Sequence, residues 1–286
     1  MRRFFHQVYE LLEMIKVGHS VLALPFAFMG AMLAARGLPA GRTCGYILLA
    51  MVGARSAAMG FNRLVDARID AINPRTADRA LPAGRVSRAA AIFLVIVSSL
   101  IFILAAGQLN RMCLILSPLV LAVLLGYSYT KRFTAWSHLV LGFSLGMAPM
   151  GGWLAVRGYL GWPVVVLGTA VVFWVAGFDI LYALQDEEFD RRSGLLSIPA
   201  RWGAARSRRL AALCHLTAAL GFATTGYLAH LGAGYAAAVL LSVLVMLPQH
   251  LFLLFRPSHR LSPAFFTLNG LVGLGLVLAT WFSLSL

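Results

Sequence analysis

The run TCGYILLAMVGARSAAMGFNRLVDARID, residues 43–70, decides the fold. From 43 to 61 it is predominantly apolar, with Arg55 its one charge, and it then meets Asn62, Asp66 and Asp70 within nine residues. A helix needs about 20 predominantly apolar residues to cross the hydrocarbon core of a bilayer. Comparable runs recur at approximately 15–36, 88–107, 111–130, 137–156, 162–185, 209–230, 233–255 and 262–284, so that nine are present in all. The 286-residue chain is 60% hydrophobic and 12% charged with a mean hydropathy of +0.82, whereas soluble domains carry about 25% charge. These runs are apolar on every side, unlike the period-two alternation of a membrane barrel strand. The predicted class is therefore an all-α integral membrane protein of nine transmembrane helices. No Pro- or Ser-rich linker or low-complexity tract interrupts the pattern, which predicts a single polytopic domain over 1–286.

The net charge of +14 would suggest nucleic acid on a soluble domain, so its placement has to be read. With the N-terminus on one side, that side collects 19 of the 24 Lys and Arg residues; the other holds Arg36, Arg42, Arg111 and Arg157, and Arg55 lies inside a helix. The positive-inside rule then puts the N-terminus and the long connections, near 63–87, 130–136 and 185–208, in the cytoplasm and the C-terminus outside. In bacteria this is the inner membrane. The charge is topological and no nucleic-acid partner is expected. A cleavable signal peptide fits poorly: the first apolar stretch follows Glu10, Glu13 and Lys16, is long, and carries His19. Cys44, Cys113 and Cys214 are isolated and read as packing residues.

Eight of the ten carboxylates fall in two clusters: Asp66, Asp70 and Asp78, then Asp179, Asp186, Glu187, Glu188 and Asp190. Each abuts an apolar run and contains an Asp-x-x-x-Asp spacing. Residues four apart share a helix face, so Asn62, Asp66 and Asp70 project together, with Arg55 on the same stripe. Asp179, Asp186 and Asp190 line a second stripe with Tyr182 near it. Both stripes are expected to face a shared, cytoplasm-facing acidic cavity. Hard oxygen donors at this spacing suit Mg²⁺, which keeps waters and is commonly completed by substrate phosphates. The implied ligand is a diphosphate. For Glu187, Glu188 and Asp78 the simpler reading, solvation or pairing with nearby arginines, is preferred.

The segments Asn62-x-x-x-Asp66-x-x-x-Asp70 and Asp186-x-x-x-Asp190 resemble the two aspartate motifs of the UbiA superfamily of intramembrane aromatic prenyltransferases. RSAAMGFNRLVDARIDAINPRTADRALPAG (Arg55–Gly84), YSYTKR (Tyr127–Arg132) and DILYALQDEEFDRRSGLLSIPARWG (Asp179–Gly203) also resemble that family in order and spacing. HSVLALPFAF from His19, NPRT from Asn73 and YALQDEEFD look like its bacterial 4-hydroxybenzoate polyprenyltransferase branch, which includes members assigned to menaquinone synthesis by the futalosine route. One departure stands out: many relatives carry Arg directly after the middle Asp, where this chain has Ala67, leaving Arg68 or Arg63 as the substitute.

The resemblance implies ionisation of a polyprenyl diphosphate and capture of the allylic cation by an aromatic acid, 4-hydroxybenzoate or 1,4-dihydroxy-6-naphthoate, for ubiquinone or menaquinone. It implies Mg²⁺ on Asp66, Asp70, Asp186 and Asp190 with Asn62 assisting, and Lys131 and Arg132 on the diphosphate oxygens. Arg55, the only cation deep in an apolar run, either pairs with Asp179 or holds the acceptor's carboxylate. Tyr127 and Tyr182 are candidates for shielding a cation, Arg68 for substrate binding, and His19 for orienting the acceptor or acting as a base. Haem O and chlorophyll synthase types are the alternatives within the family. A transporter is the rival class, but transporter sites sit near the midplane at broken helices, whereas these acids gather at one face. Acceptor identity, isoprenoid length, metal count and oligomeric state are not legible.

Overall fold

With no water in the bilayer core to take up backbone N–H and C=O groups, an apolar run must satisfy them internally, and every run that can be followed is helical. The computed structural model describes residues 9–15, 23–255 and 263–285. After a helical segment at 9–14 come α1 (Leu24–Ala35), α2 (Gly41–Ile72), α3 (Arg88–Leu109), α4 (Arg111–Gly126), a 3₁₀ segment Tyr127–Arg132, α5 (Ser137–Arg157) and α6 (Trp162–Ala183). A 3₁₀ turn Leu184–Asp186 leads into α7 (Glu187–Arg192), followed by α8 (Ile198–Ala229), α9 (Ala233–Phe255) and α10 (Pro263–Ser285). Among the described residues eight helices are long and apolar enough to cross a membrane, and α1 is a shorter apolar helix of 12 residues. The protein is thus a multi-pass all-helical membrane protein. The run expected at 15–36 is described only from residue 23 onward, and His19 lies outside the described residues.

The chain forms two compact units, Met1–Ser20 with Gly45–Tyr129 and Val21–Cys44 with Thr130–Leu286. In the first unit, α2 has 32 residues, about 48 Å at 1.5 Å per residue, against a hydrocarbon core of about 30 Å. It continues ten residues past the apolar run and so carries the acids on helical turns rather than in a loop. Ser87 caps α3 by accepting from Ala90 N–H, and Asn110 ends α3 and caps α4 by accepting from Cys113 N–H. Met14, Ile15, Ala80, Leu81, Val86 and Ala91 form an apolar cluster on which Ala67 also packs.

The second unit is built around α6, which is packed by α5 on one side and α8 on another and buries Trp174, Val175, Ala176 and Leu181 completely. Phe26 of α1 sits 5.2 Å from Trp174 and 5.9 Å from Phe222 between ring centroids, and Trp174 meets Phe178 edge-on at 5.1 Å. Close helix contact depends on small residues: a Cβ on Gly142 would stand 2.2 Å from the Val172 carbonyl oxygen, and one on Gly152 only 1.9 Å from that of Ala27. Polar pairs clip the later helices together, His215 to His250 at 2.8 Å and Gln249 to Asn269 at 3.2 Å. Arg36 and Arg157 donate to the carbonyls of Ala229 and Ala34 at helix C-termini, where a cation also favours the dipole.

Gly142→Val should force α5 and α6 apart and destabilise the protein by about 1–3 kcal/mol, the usual cost of overpacking. Thermal melting of the purified protein is expected to drop for this variant and to stay unchanged for Gly151→Val, where a Cβ meets nothing within 4 Å.

Candidate functional site

In the first unit the acids sit on the last three turns of α2. Asp66 and Asp70 are 2% and 5% exposed, and a carboxylate so buried needs partners. Asn62 donates from Nδ2 to Asp66 Oδ2 at 3.1 Å, one turn apart as the spacing predicts. The segment after α2 is folded onto Asp70. Asn73 Oδ1 accepts from Arg75 N–H at 2.9 Å, an Asx turn, and Thr76 Oγ donates to the Asp70 carbonyl at 3.1 Å. That turn brings Arg79 Nη1 to 2.8 Å and 2.7 Å from the two Asp70 carboxylate oxygens. NPRT is therefore a turn that delivers an arginine to the motif. Arg85 closes the loop from the other side, at 2.9 Å from Glu10 and from the Asp78 carbonyl, and Glu10 holds the Arg85 guanidinium above its ordinary pKa by accepting that hydrogen bond.

The two candidate substitutes for the arginine missing at Ala67 separate clearly. Arg63, three residues before Asp66, is 6% exposed, donates from Nε to the Met14 carbonyl at 3.4 Å and feels the charges of Asp70, Asp66 and Arg79. Arg68, rotated about 200° from Asp66 at 100° per residue, is exposed. Arg63 is the one gathered with the acids. Tyr127 lies within electrostatic reach of Arg63, and Arg55 is half-buried on α2.

In the second unit the acidic stripe is not carried by one regular helix. The 3₁₀ turn Leu184–Asp186 interrupts it, and since 3₁₀ advances 120° per residue rather than 100°, Asp186 and Asp190 are turned relative to Asp179. Asp190 has Ser197 as a neighbour and lies within electrostatic reach of Asp186 and Lys131. Lys131 and Asp190 are also tied by backbone: Leu195 N–H donates to the Asp190 carbonyl at 2.9 Å and Leu196 N–H to the Lys131 carbonyl at 2.7 Å. Arg132 is exposed. Tyr182 stacks on Phe265 at 6.3 Å. Glu187 pairs with Arg191 at 2.7 Å and Glu188 with Arg192, in agreement with the simpler reading of those two.

His138, Ser197 and Arg79 are site neighbours that sequence reasoning missed. His138 Nδ1 lies 2.7 Å from Asp179 Oδ2 although 41 residues separate them; nothing in the local sequence signals that pairing. Among the described residues no group of three or more His, Cys, Asp and Glu is placed to hold a metal without help. Pairs of hard carboxylates still fit Mg²⁺, which typically takes one or two carboxylates plus substrate phosphates.

Residues 23–271 match the UbiA prenyltransferase family. The chain belongs to that family. It is 36% identical to a UbiA homologue from Aeropyrum pernix K1 known from its apo structure, with a TM-score of 0.83 over 92% of this chain and 97% of that one. A UbiA homologue from Archaeoglobus fulgidus, solved bound to GPP and Mg²⁺, shares the fold at a TM-score of 0.75 and 18% identity, over 97% of this chain and 100% of that one. A 4-hydroxybenzoate octaprenyltransferase of Yersinia pseudotuberculosis serotype IB (strain PB1/+) is 29% identical over 276 residues, 95% of each chain. This UbiA-family chain is a membrane prenyltransferase.

Arg63→Gln leaves two buried carboxylates with one fewer cation. Loss of such a charge-assisted contact is worth about 1.5–3 kcal/mol, so activity should fall by at least about tenfold. Arg68→Gln, at an exposed position, should stay within about twofold. Prenyl-transfer rates, with melting temperatures measured alongside, check both.

Proposed function

We propose that this enzyme transfers a polyprenyl group from a polyprenyl diphosphate to an aromatic acid in quinone biosynthesis. The observation that carries the reading is the pair of Asp-x-x-x-Asp motifs, each set beside cations: Asp66 and Asp70 with Arg63 and Arg79, and Asp190 with Lys131. Soluble acids at helix ends need no such company. Carboxylates interleaved with arginine and lysine suit a ligand that is itself an anion carrying a metal ion. The GPP and Mg²⁺ bound by the Archaeoglobus fulgidus homologue support the ligand class, and the names of the Yersinia relatives support an aromatic acid as acceptor.

In this reading Asp66, Asp70, Asp186 and Asp190, with Asn62 assisting, hold Mg²⁺, which supplies positive charge against the diphosphate as it leaves. Lys131 contributes a point charge and Arg132 a forked guanidinium to the same phosphate oxygens. Arg79 holds Asp70 in place, and Arg63 stands near both acids. Asp179, Tyr182, Tyr127 and Arg55 bind substrate, and His19 remains a candidate at the acceptor. The chain works as one polytopic domain in a bacterial inner membrane, with the N-terminus and the acidic motifs on the cytoplasmic side and the C-terminus outside.

The test is product formation in nanodiscs with Mg²⁺, a polyprenyl diphosphate, and 4-hydroxybenzoate and 1,4-dihydroxy-6-naphthoate offered together. One acceptor should gain the prenyl chain by mass spectrometry. EDTA should abolish the product, and Asp66→Asn should reduce it at least about a hundredfold, the scale on which a single electrostatic stabiliser of a transition state acts. Absence of product from either acceptor in folded wild-type protein would contradict the reading.

A further inference from the structure

His138 is 4% exposed at the start of α5, and both ring nitrogens are engaged. Nδ1 lies 2.7 Å from Asp179 Oδ2, and Nε2 lies 3.3 Å from the backbone nitrogen of Ile198, the first residue of α8. The Ile198 N–H is a donor, so Nε2 has to accept. The ring proton therefore sits on Nδ1 and is donated to Asp179, and the imidazole is neutral. A neutral ring orients a carboxylate without cancelling its charge, as an imidazolium would.

The same helix start stands near a second acid. Ser197 Oγ accepts from Ala200 N–H at 3.2 Å and caps α8, and Ser197 is a neighbour of Asp190. One helix N-terminus thus fixes Asp179 through His138 and lies beside Asp190. A tie serving only to fasten helices would have both partners sealed. Here the histidine side chain is 5% exposed and that of Asp179 is 25% exposed, and Asp179 Oδ1 accepts no hydrogen bond from the described residues. Among the described residues one oxygen is held and the other is open.

We propose that His138 is a positioning residue, which sets Asp179 so that its open oxygen receives the ring hydroxyl of an electron-rich aromatic acceptor. The proposal rests on the aromatic-acceptor reading given above and adds which group orients that acceptor. A hydrogen bond from the hydroxyl to a carboxylate is charge-assisted and pushes electron density into the ring that must attack the allylic cation. Correct orientation of the ring is itself worth rate.

Two substitutions divide the roles of the imidazole. In His138→Asn an amide N–H replaces Nδ1–H and keeps the donor to Asp179, while the acceptor for Ile198 is lost. In His138→Gln an amide oxygen replaces Nε2 and keeps Ile198 satisfied, while the donor to Asp179 is lost. The expected result is an acceptor KM raised about tenfold or more in His138→Gln, the scale of one charge-assisted hydrogen bond. The prenyl diphosphate KM should be unchanged, and His138→Asn should retain most of the acceptor affinity. ¹⁵N NMR of histidine-labelled wild-type protein should show His138 neutral with Nε2 unprotonated.

An unchanged acceptor KM in His138→Gln beside a working wild type would overturn the role of His138 alone. So would a protonated Nε2, or parallel loss of both substrates' affinities and of melting temperature in the two variants. A wild-type enzyme that prenylates no aromatic compound would overturn the acceptor reading and this role with it.

Discussion

A carboxylate at the end of an apolar helix must be met by a donor, because burial removes the water that would otherwise solvate it. Much of what distinguishes this chain from a plain helical bundle follows from that requirement. Asp70 is met by Arg79, which the turn begun at Asn73 brings back onto the helix. Asp66 is met by Asn62 one turn earlier. Asp179 is met by His138. Asp66, Asp70 and Asp179 are each held by a polar side chain, and carboxylates are the hard oxygen ligands that suit Mg²⁺.

The fold and the first acid pair were largely legible in the sequence, for the same reason. A helix in lipid writes its length into composition, so the runs beginning at 88, 111, 137, 162 and 233 coincide with α3, α4, α5, α6 and α9 to within a few residues. The Asn62, Asp66 and Asp70 spacing is a helical period, and α2 continues regularly through it. Polarity, by contrast, conceals helix outside the bilayer. The stretch 185–208 reads as a long connection, yet it contains a 3₁₀ turn, α7 and the start of α8, where Gly203 at φ 75° bends the helix. Only glycine adopts that backbone without strain.

What the sequence hid is pairing at long range. His138 meets a residue 41 positions away, Arg63 a carbonyl 49 positions away, and Arg85 an acid 75 positions away. No local period encodes such contacts; they are consequences of how helices pack. The 3₁₀ turn at Leu184–Asp186 was hidden too, since a stripe drawn on an ideal helix assumes a constant 100° step. Position 67 has a packing environment that composition could not reveal: Ala67 lies against the apolar cluster of Met14 and Leu81, while the buried Arg63 stands near the acids.

The central claim is that the two acidic motifs bind a metal-bearing diphosphate. Its most direct measurement is calorimetric titration of a non-hydrolysable polyprenyl diphosphate analogue into the protein in nanodiscs, with and without Mg²⁺, for wild type, Asp70→Asn and Asp186→Asn. The account predicts binding that needs Mg²⁺ and weakens at least about tenfold in each variant, the scale of a lost charge-assisted contact. Equal affinity in EDTA, or in variants that remain folded, would contradict it.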